Sequence, residues 1–186
     1  MPRVRLVDEH PEDPQLQAVF SRVQASWDHV PNLYRTLGHA PDLLEKWVDF
    51  AWALRGDATT PRALRELAIL RTAQLNGADY EWRHHVPMAL EAGVGDAQLA
   101  ELATWASSTA FGDQERAVLA MAEELATTAR LGDQGWASLR AHFDEDEAME
   151  LVLTAAFYAC VSRVLGGLAI EVEERYADVP PVADPG

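Results

Sequence analysis

Glu66-Leu67-Ala68-Ile69-Leu70-Arg71-Thr72-Ala73-Gln74-Leu75-Asn76-Gly77-Ala78-Asp79-Tyr80-Glu81-Trp82-Arg83-His84-His85 is the stretch on which the fold turns. Thr60-Pro61 opens a helix ahead of it, and Asn76-Gly77 is a helix-ending pair, because Gly and, less often, Asn take the left-handed conformation at low cost. A second helix can start after Ala78, so the two are expected to lie nearly antiparallel. Glu81 and His85 are four apart and His84 is three from Glu81, so both imidazoles can reach the carboxylate's side of the second helix. At 1.5 Å per residue, Glu66 lies ~16 Å before the turn and His85 ~12 Å beyond it. The offset of ~4 Å is less than one helical turn, so a Glu side chain can span it. One cavity holding Glu66, Glu81 and His85 is therefore expected, with Trp82 at its edge. Pro87, inside the second helix, is expected to kink it and free the Arg83 carbonyl.

Outward from this core, apolar residues recur every three or four positions, and period-two runs of β-branched and aromatic residues are absent. The class is all-α. Asp13-Pro14 reads as a cap and first helical residue, followed by Leu16, Val19, Phe20, Val23 and Trp27 on one face. Ala40-Pro41-Asp42 opens another helix that stops at Gly56, and Asp96, Asp113 and Asp133 precede further ones. The last long pattern runs from about Glu145 to about Tyr176, with Gly166-Gly167 marking a break, a kink or a close helix contact. Acids at Asp144 to Glu147 suit the first turn of that helix through its dipole. Residues 1–12 are expected to form an arm, 13–177 a single domain and 178–186 a tail, since the ends are rich in Pro and acid and poor in large apolar groups.

Composition narrows the function. With 186 residues, 48% hydrophobic content and six Trp, the chain can bury one sizeable core. A net charge of −15 repels phosphate backbones and anionic lipid, which argues against nucleic acid and membrane partners. An anionic substrate would need a local base such as Arg71, Arg83 or Arg163. The single cysteine, Cys160, excludes an intramolecular disulfide and any Cys-x-x-Cys motif; its apolar neighbours place it in the core. No signal-peptide core is present and no run reaches the ~20 apolar residues of a spanning helix, so a cytoplasmic, unprocessed protein is expected.

Glu66, eleven intervening residues, Ala78, two more, Glu81, three more and His85 resemble the signature of the carboxymuconolactone decarboxylase and alkylhydroperoxidase D-like superfamily. Its peroxidase branch has Cys-x-x-Cys where this chain has Ala78 and Glu81, so a thiol relay there is impossible. The decarboxylase branch is similar in carrying Glu at the second of those positions, and Glu81, His85, Ala89 and Gly93 match it. Val30 to Arg35 and Phe157-Tyr158 through Arg163 extend the likeness over residues 15 to 175. The resemblance implies a helical domain that assembles as a trimer or hexamer. It also implies a decarboxylase-type lyase acting on a small ring or keto-acid metabolite, without metal or organic cofactor.

Glu66, Glu81 and His85 are the candidate acid and base groups, and Tyr80, Trp82, Arg83 and His84 the candidate substrate contacts. Burial among Leu64, Leu67 and Leu70 would favour the protonated form of Glu66; an exposed pair with Arg62 is the plain alternative. A metal is disfavoured because adjacent His84 and His85 point about 100° apart on a helix. Tyr158 and Arg163 border the pocket by family position and are equally open to structural roles. Two other functions stay open beside the lyase, a peroxidase or disulfide reductase and a non-catalytic scaffold, the first against the missing thiol pair.

Overall fold

The computed structural model describes residues 2–184, so the outermost positions of the expected arm and tail, 1 and 185–186, lie outside it. Nine α-helices and no strand occur among the described residues: α1 (Pro14–Trp27), α2 (Asn32–Leu37), α3 (Pro41–Trp52), α4 (Arg62–Leu75), α5 (Asp79–Glu91), α6 (Asp96–Glu101), α7 (Asp113–Thr128), α8 (Asp133–Arg140) and α9 (Glu145–Leu168). A π-helical turn, Ala53–Asp57, continues α3, and a 3₁₀ turn, Glu174–Tyr176, follows α9.

α4 is the axis of the molecule. Every residue from Leu64 to Gln74 is buried, because α5, α7 and α9 all pack against it. Ala68 faces Val118, Met121, Leu151 and Ala155 of α7 and α9, while Leu67, Leu70 and Ala73 meet Trp82 and Ala89 of α5 together with Leu102, Phe111 and Leu119. A fully buried Leu contributes roughly 1.5–3 kcal/mol by this transfer, so the α4 seam carries much of the stability.

The reversal between α4 and α5 explains why the site can exist. Gly77 adopts a left-handed φ of 60°, its N–H bonds the Gln74 carbonyl at 3.2 Å, and the Ala78 N–H bonds the Ala73 carbonyl at 2.9 Å. That bond pattern caps the last carbonyls of α4 while turning the chain back along it. Gly93, at φ 98°, ends α5 the same way through Val94 and Ala89.

Several sequence expectations are corrected. α9 passes through Gly166-Gly167 without a break and ends at Leu168, not near Tyr176. The glycines sit in its last turn, where Arg3 donates to the Gly167 and Leu168 carbonyls, and Ala169 caps it with a φ of 52°. Pro87 lies inside α5, which ends at Glu91. Cys160 is exposed rather than in the core, on the same side of α9 as the exposed Met149, Leu153 and Ala156. The 24 residues of α9 are long and apolar enough to cross a membrane by length and composition alone, contrary to expectation, yet Leu151, Ala155, Tyr158 and Leu165 are packed into the core. The acidic run at its start does cap it: Asp144 accepts from the Glu147 N–H at 2.9 Å and Glu147 accepts from the Asp144 N–H at 3.0 Å.

Candidate active site

α5 folds back on α4 so that His85 lies between two carboxylates. Its Nδ1 is 2.7 Å from Glu66 Oε2 and its Nε2 is 3.2 Å from Glu81 Oε1. All three side chains are at least nine-tenths buried, and the Tyr158 ring closes edge-on over the imidazole with ring centres 4.9 Å apart. Glu66 also accepts from Arg62 Nε at 3.0 Å, so the surface pair and the buried pair exist together.

Charge follows from this geometry. Burial alone would raise the Glu66 carboxyl, as expected from sequence, but the His85 ring and the Arg62 guanidinium reverse it and hold the group below its ordinary range. The expected protonated Glu66 is thus corrected to a carboxylate. Burial alone would lower the His85 ring, yet Glu66 and Glu81 on its two nitrogens raise it. The second oxygen of Glu81, Oε2, is buried without a hydrogen-bond partner. Such an orphan costs about 1–3 kcal/mol, and its residue, Glu81, lines a small cavity together with His85, Tyr34 and Arg55.

That cavity adjoins a larger one of about 440 Å³, the two sharing Trp27, Arg55, His84 and Met88 in their walls. Trp27 and Trp52 form its aromatic wall, and Arg62 and Tyr176 also line it. Arg55 comes from the π-helical turn after α3. Its Nε donates to the Tyr158 hydroxyl at 2.9 Å and its Nη1 to the Tyr34 hydroxyl at 3.3 Å, while the guanidinium lies 4.8 Å from the Trp27 ring centre. Because arginine supplies the protons of both bonds, each phenol keeps its own proton to donate elsewhere. Burial raises Tyr34 and Tyr158 in spite of Arg55, so both remain neutral phenols at neutral pH.

The expected substrate contacts divide. Tyr80 and His84 do border the cavities. Trp82 does not: it packs into the core with Leu67, Leu70 and Phe111, on the α4 side of α5, and Trp27 and Trp52 take the edge position expected of it. Arg83 is also displaced, pairing with Asp79 at 2.9 Å and donating to the carbonyls of Tyr176, Ala177 and Val179. Arg71 is engaged by Glu123 and Arg163 by its own helix, so none of the three bases expected for an anion lines the site. Arg55, Trp27 and Trp52 were missed, since only an Arg three residues after a Trp hints at them. Glu173 was missed as well. It accepts from the Tyr80 hydroxyl at 2.9 Å and the Asn32 N–H at 2.5 Å, and its Oε2 is 3.0 Å from His84 Nε2.

The central spacing and this geometry can now be set against other proteins. Residues 41–124 match the carboxymuconolactone decarboxylase family, a span that contains Arg55, Glu66, Glu81 and His85. Over that span, which is just under half of the chain, the sequence is similar to the carboxymuconolactone decarboxylase family. A Bacillus subtilis (strain 168) protein, YdfG, is 29% identical over 94 residues, which is 50% of this chain and 64% of YdfG, less than two thirds of that relative. A peroxidase-related protein of Silicibacter sp. TM1040 superposes with a TM-score of 0.81 at 15% identity over 95% of each chain. A variant of the debrominase Bmp8 in complex with 2,3,4-tribromopyrrole superposes with 0.80 at 21% identity, covering 95% of this chain and 96% of that one. At these identities the likeness shows a shared fold alone. Tyr158 and Glu173 lie outside the matched family span.

Proposed function

We propose that this protein is an enzyme of the lyase or isomerase type that moves a proton on and off carbon in a small ring or keto-acid metabolite, without a metal or organic cofactor. One observation carries this: a buried imidazole bridges two carboxylates, and the outer one, Glu81, lines a small cavity and keeps one oxygen without a hydrogen bond. Glu66 holds the Nδ1–H and so orients the ring. Nε2 exchanges a proton with Glu81 Oε1, and Glu81 Oε2 meets the substrate carbon. In a decarboxylation the carbon–carboxylate bond breaks, carbon dioxide leaves, and its electron pair stays on the substrate as an enolate. Glu81 then places a proton on that carbon and regains it from His85. The phenol proton of Tyr34, which lines the small cavity with Glu81, stabilises the enolate oxygen. In an isomerisation Glu81 first removes the proton that it later returns.

The peroxidase alternative lacks a second thiol, and the chain's one cysteine is exposed on α9. A scaffold role fits less well than catalysis, because Glu66 reaches His85 and does not face solvent with Arg62 alone. Assembly as a trimer or hexamer and a cytoplasmic location belong to the same proposal, to be checked by native mass and cell fractionation. The test of the chemistry is a panel of carboxylated lactones and cyclic keto acids incubated in deuterated water, followed for carbon dioxide release and carbon-bound deuterium. Glu81→Gln and His85→Gln are each expected to lower the rate by ~10²- to 10⁴-fold. A Glu81→Gln protein turning over at the wild-type rate would remove the basis of the proposal.

A further inference from the structure

Arg55 is a cation without a counter-ion. The chain carries thirty acidic residues against fifteen basic ones, and Arg22, Arg35, Arg62, Arg71, Arg83, Arg140 and Arg175 have a carboxylate within 4 Å; Arg65, Arg116 and Arg163 have none either, but they donate to backbone carbonyls away from the cavities. None of the described carboxylates approaches Arg55 that closely. Of its five N–H donors, two go to the phenols of Tyr158 and Tyr34, and the ring faces of Trp27 and Trp52 lie 4.8 and 5.5 Å from its guanidinium carbon. Cation–π contact offsets part of the cost of sinking a charge among aromatic rings, and the fork still has unused donors beside the cavity.

Its position is as informative as its charge. Arg55 lines both the 440 Å³ cavity and the small one that holds Glu81 and His85. A ligand held on it therefore extends toward the proton-transfer groups. Arg62, the other cation on the larger cavity, is already paired with Glu66, and the acid Glu91 stands on the same lining. The vacant charge is thus at the junction.

We propose that Arg55 is the residue that selects the substrate of this site, pairing with the carboxylate of a flat, unsaturated ring acid whose ring lies against Trp27 and Trp52. A planar fork matches a carboxylate in two-point geometry, which a neutral ring or an amide cannot reproduce. This rests on the proton-transfer site proposed above and names the substrate class it takes. The net charge of −15 makes such a local cation necessary, since the field of the whole chain opposes an anion.

The probes are benzoate and its uncharged isostere benzamide, titrated against the full chain with tryptophan fluorescence and calorimetry as readouts. Wild type is expected to bind benzoate saturably at millimolar concentration and to bind benzamide about 10- to 100-fold more weakly, the worth of a hydrogen-bonded charge. Arg55→Met should lose that preference, while Arg55→Lys keeps part of it. Thermal melts of both variants separate loss of the ligand contact from loss of the fold, and the benzoate-to-benzamide ratio of the wild type needs no variant at all. Equal binding of the two probes, no saturable binding of benzoate, or full benzoate binding by Arg55→Met would each overturn the assignment. The two proposals fail separately. Arg55-dependent benzoate binding without any Glu81-dependent turnover sinks the chemistry and keeps the ligand class, whereas Glu81-dependent turnover of neutral rings that ignores Arg55 does the reverse.

Discussion

His84 and His85 are neighbours in the chain and belong to two different structures. His85 points toward α4 and lies between Glu66 and Glu81, groups that the sequence places within 20 positions of one another. His84 is turned about 100° away and serves the segment that follows α9. Its Nδ1–H donates to the Tyr80 carbonyl at 2.8 Å, its ring lies between Tyr80 and Tyr176, and its Nε2 faces Glu173, 89 positions along the chain. The 3.0 Å contact with Glu173 lacks hydrogen-bond alignment, so it is an attraction of charge that exists when the ring carries both protons. Burial by itself would raise Glu173; the His84 ring and the Asn32 N–H hold it below its ordinary range. The difference teaches that one helix can serve chemistry on one side and closure on the next. Around His85 two carboxylates from α4 and α5 close on one ring, while around His84 the side chain of Glu173 ties Tyr80 and Asn32 to the chain after α9.

Activity should separate the two sides most sharply. Glu81→Gln or His85→Gln is expected to cost ~10²- to 10⁴-fold in turnover, whereas Glu173→Gln should leave turnover within a few-fold. A Glu173→Gln loss as large as that of Glu81→Gln would break the division. Chelators should leave turnover unchanged, because both nitrogens of His85 are engaged by carboxylates; inactivation reversed by a divalent metal would turn those groups into ligands.

Stability should come next. Glu66→Ala removes one partner of a buried pair and is expected to cost about 3–5 kcal/mol in denaturant unfolding. Glu173→Gln removes a charge from three partners at the molecular edge and should cost about 1–3 kcal/mol, with faster amide exchange at Asn32.

The pH dependence has a sign. The raised His85 contributes stability that is fully present below its unfolded value, about 6.5, and is lost as pH rises through the folded one. The lowered Glu66 contributes stability that is present above its unfolded value, about 4.5, and is lost as pH falls through the folded one. Their sum is therefore greatest between about 4.5 and 6.5, and His85→Gln should flatten the decline on the alkaline side. A profile unchanged by that substitution would show that the ring's proton is not held by its two carboxylates. The smallest effect belongs to Cys160→Ser, which touches neither side and is expected to shift stability by no more than about 0.5 kcal/mol with activity intact.

Much of the His85 side was legible because it is local. Helical period places Glu81 beside His85, Asn76-Gly77 reverses the chain, and rise per residue brings Glu66 level with the ring, so three residues and one turn suffice. Trp82 went astray by the same logic: periodicity says that a residue is on an inward face, and α5 has two inward faces, one on the α4 core and one on the cavity. The all-α class and the helix starts at Asp13-Pro14 and Asp144 were likewise written in short-range chemistry.

What the sequence determined by itself is this central hairpin and the absence of a thiol pair from it, because both depend on residues a few turns apart and on which atoms are present at all. Only the tertiary structure decided that Glu66 is ionised, since the fields of His85 and Arg62 outweigh burial at distances that no spacing rule predicts. It alone brought Arg55 from the turn after α3, Tyr158 from α9 and Glu173 from beyond α9 onto α5. Long-range partners are chosen by which helices bury their apolar faces together, and that choice belongs to the whole core.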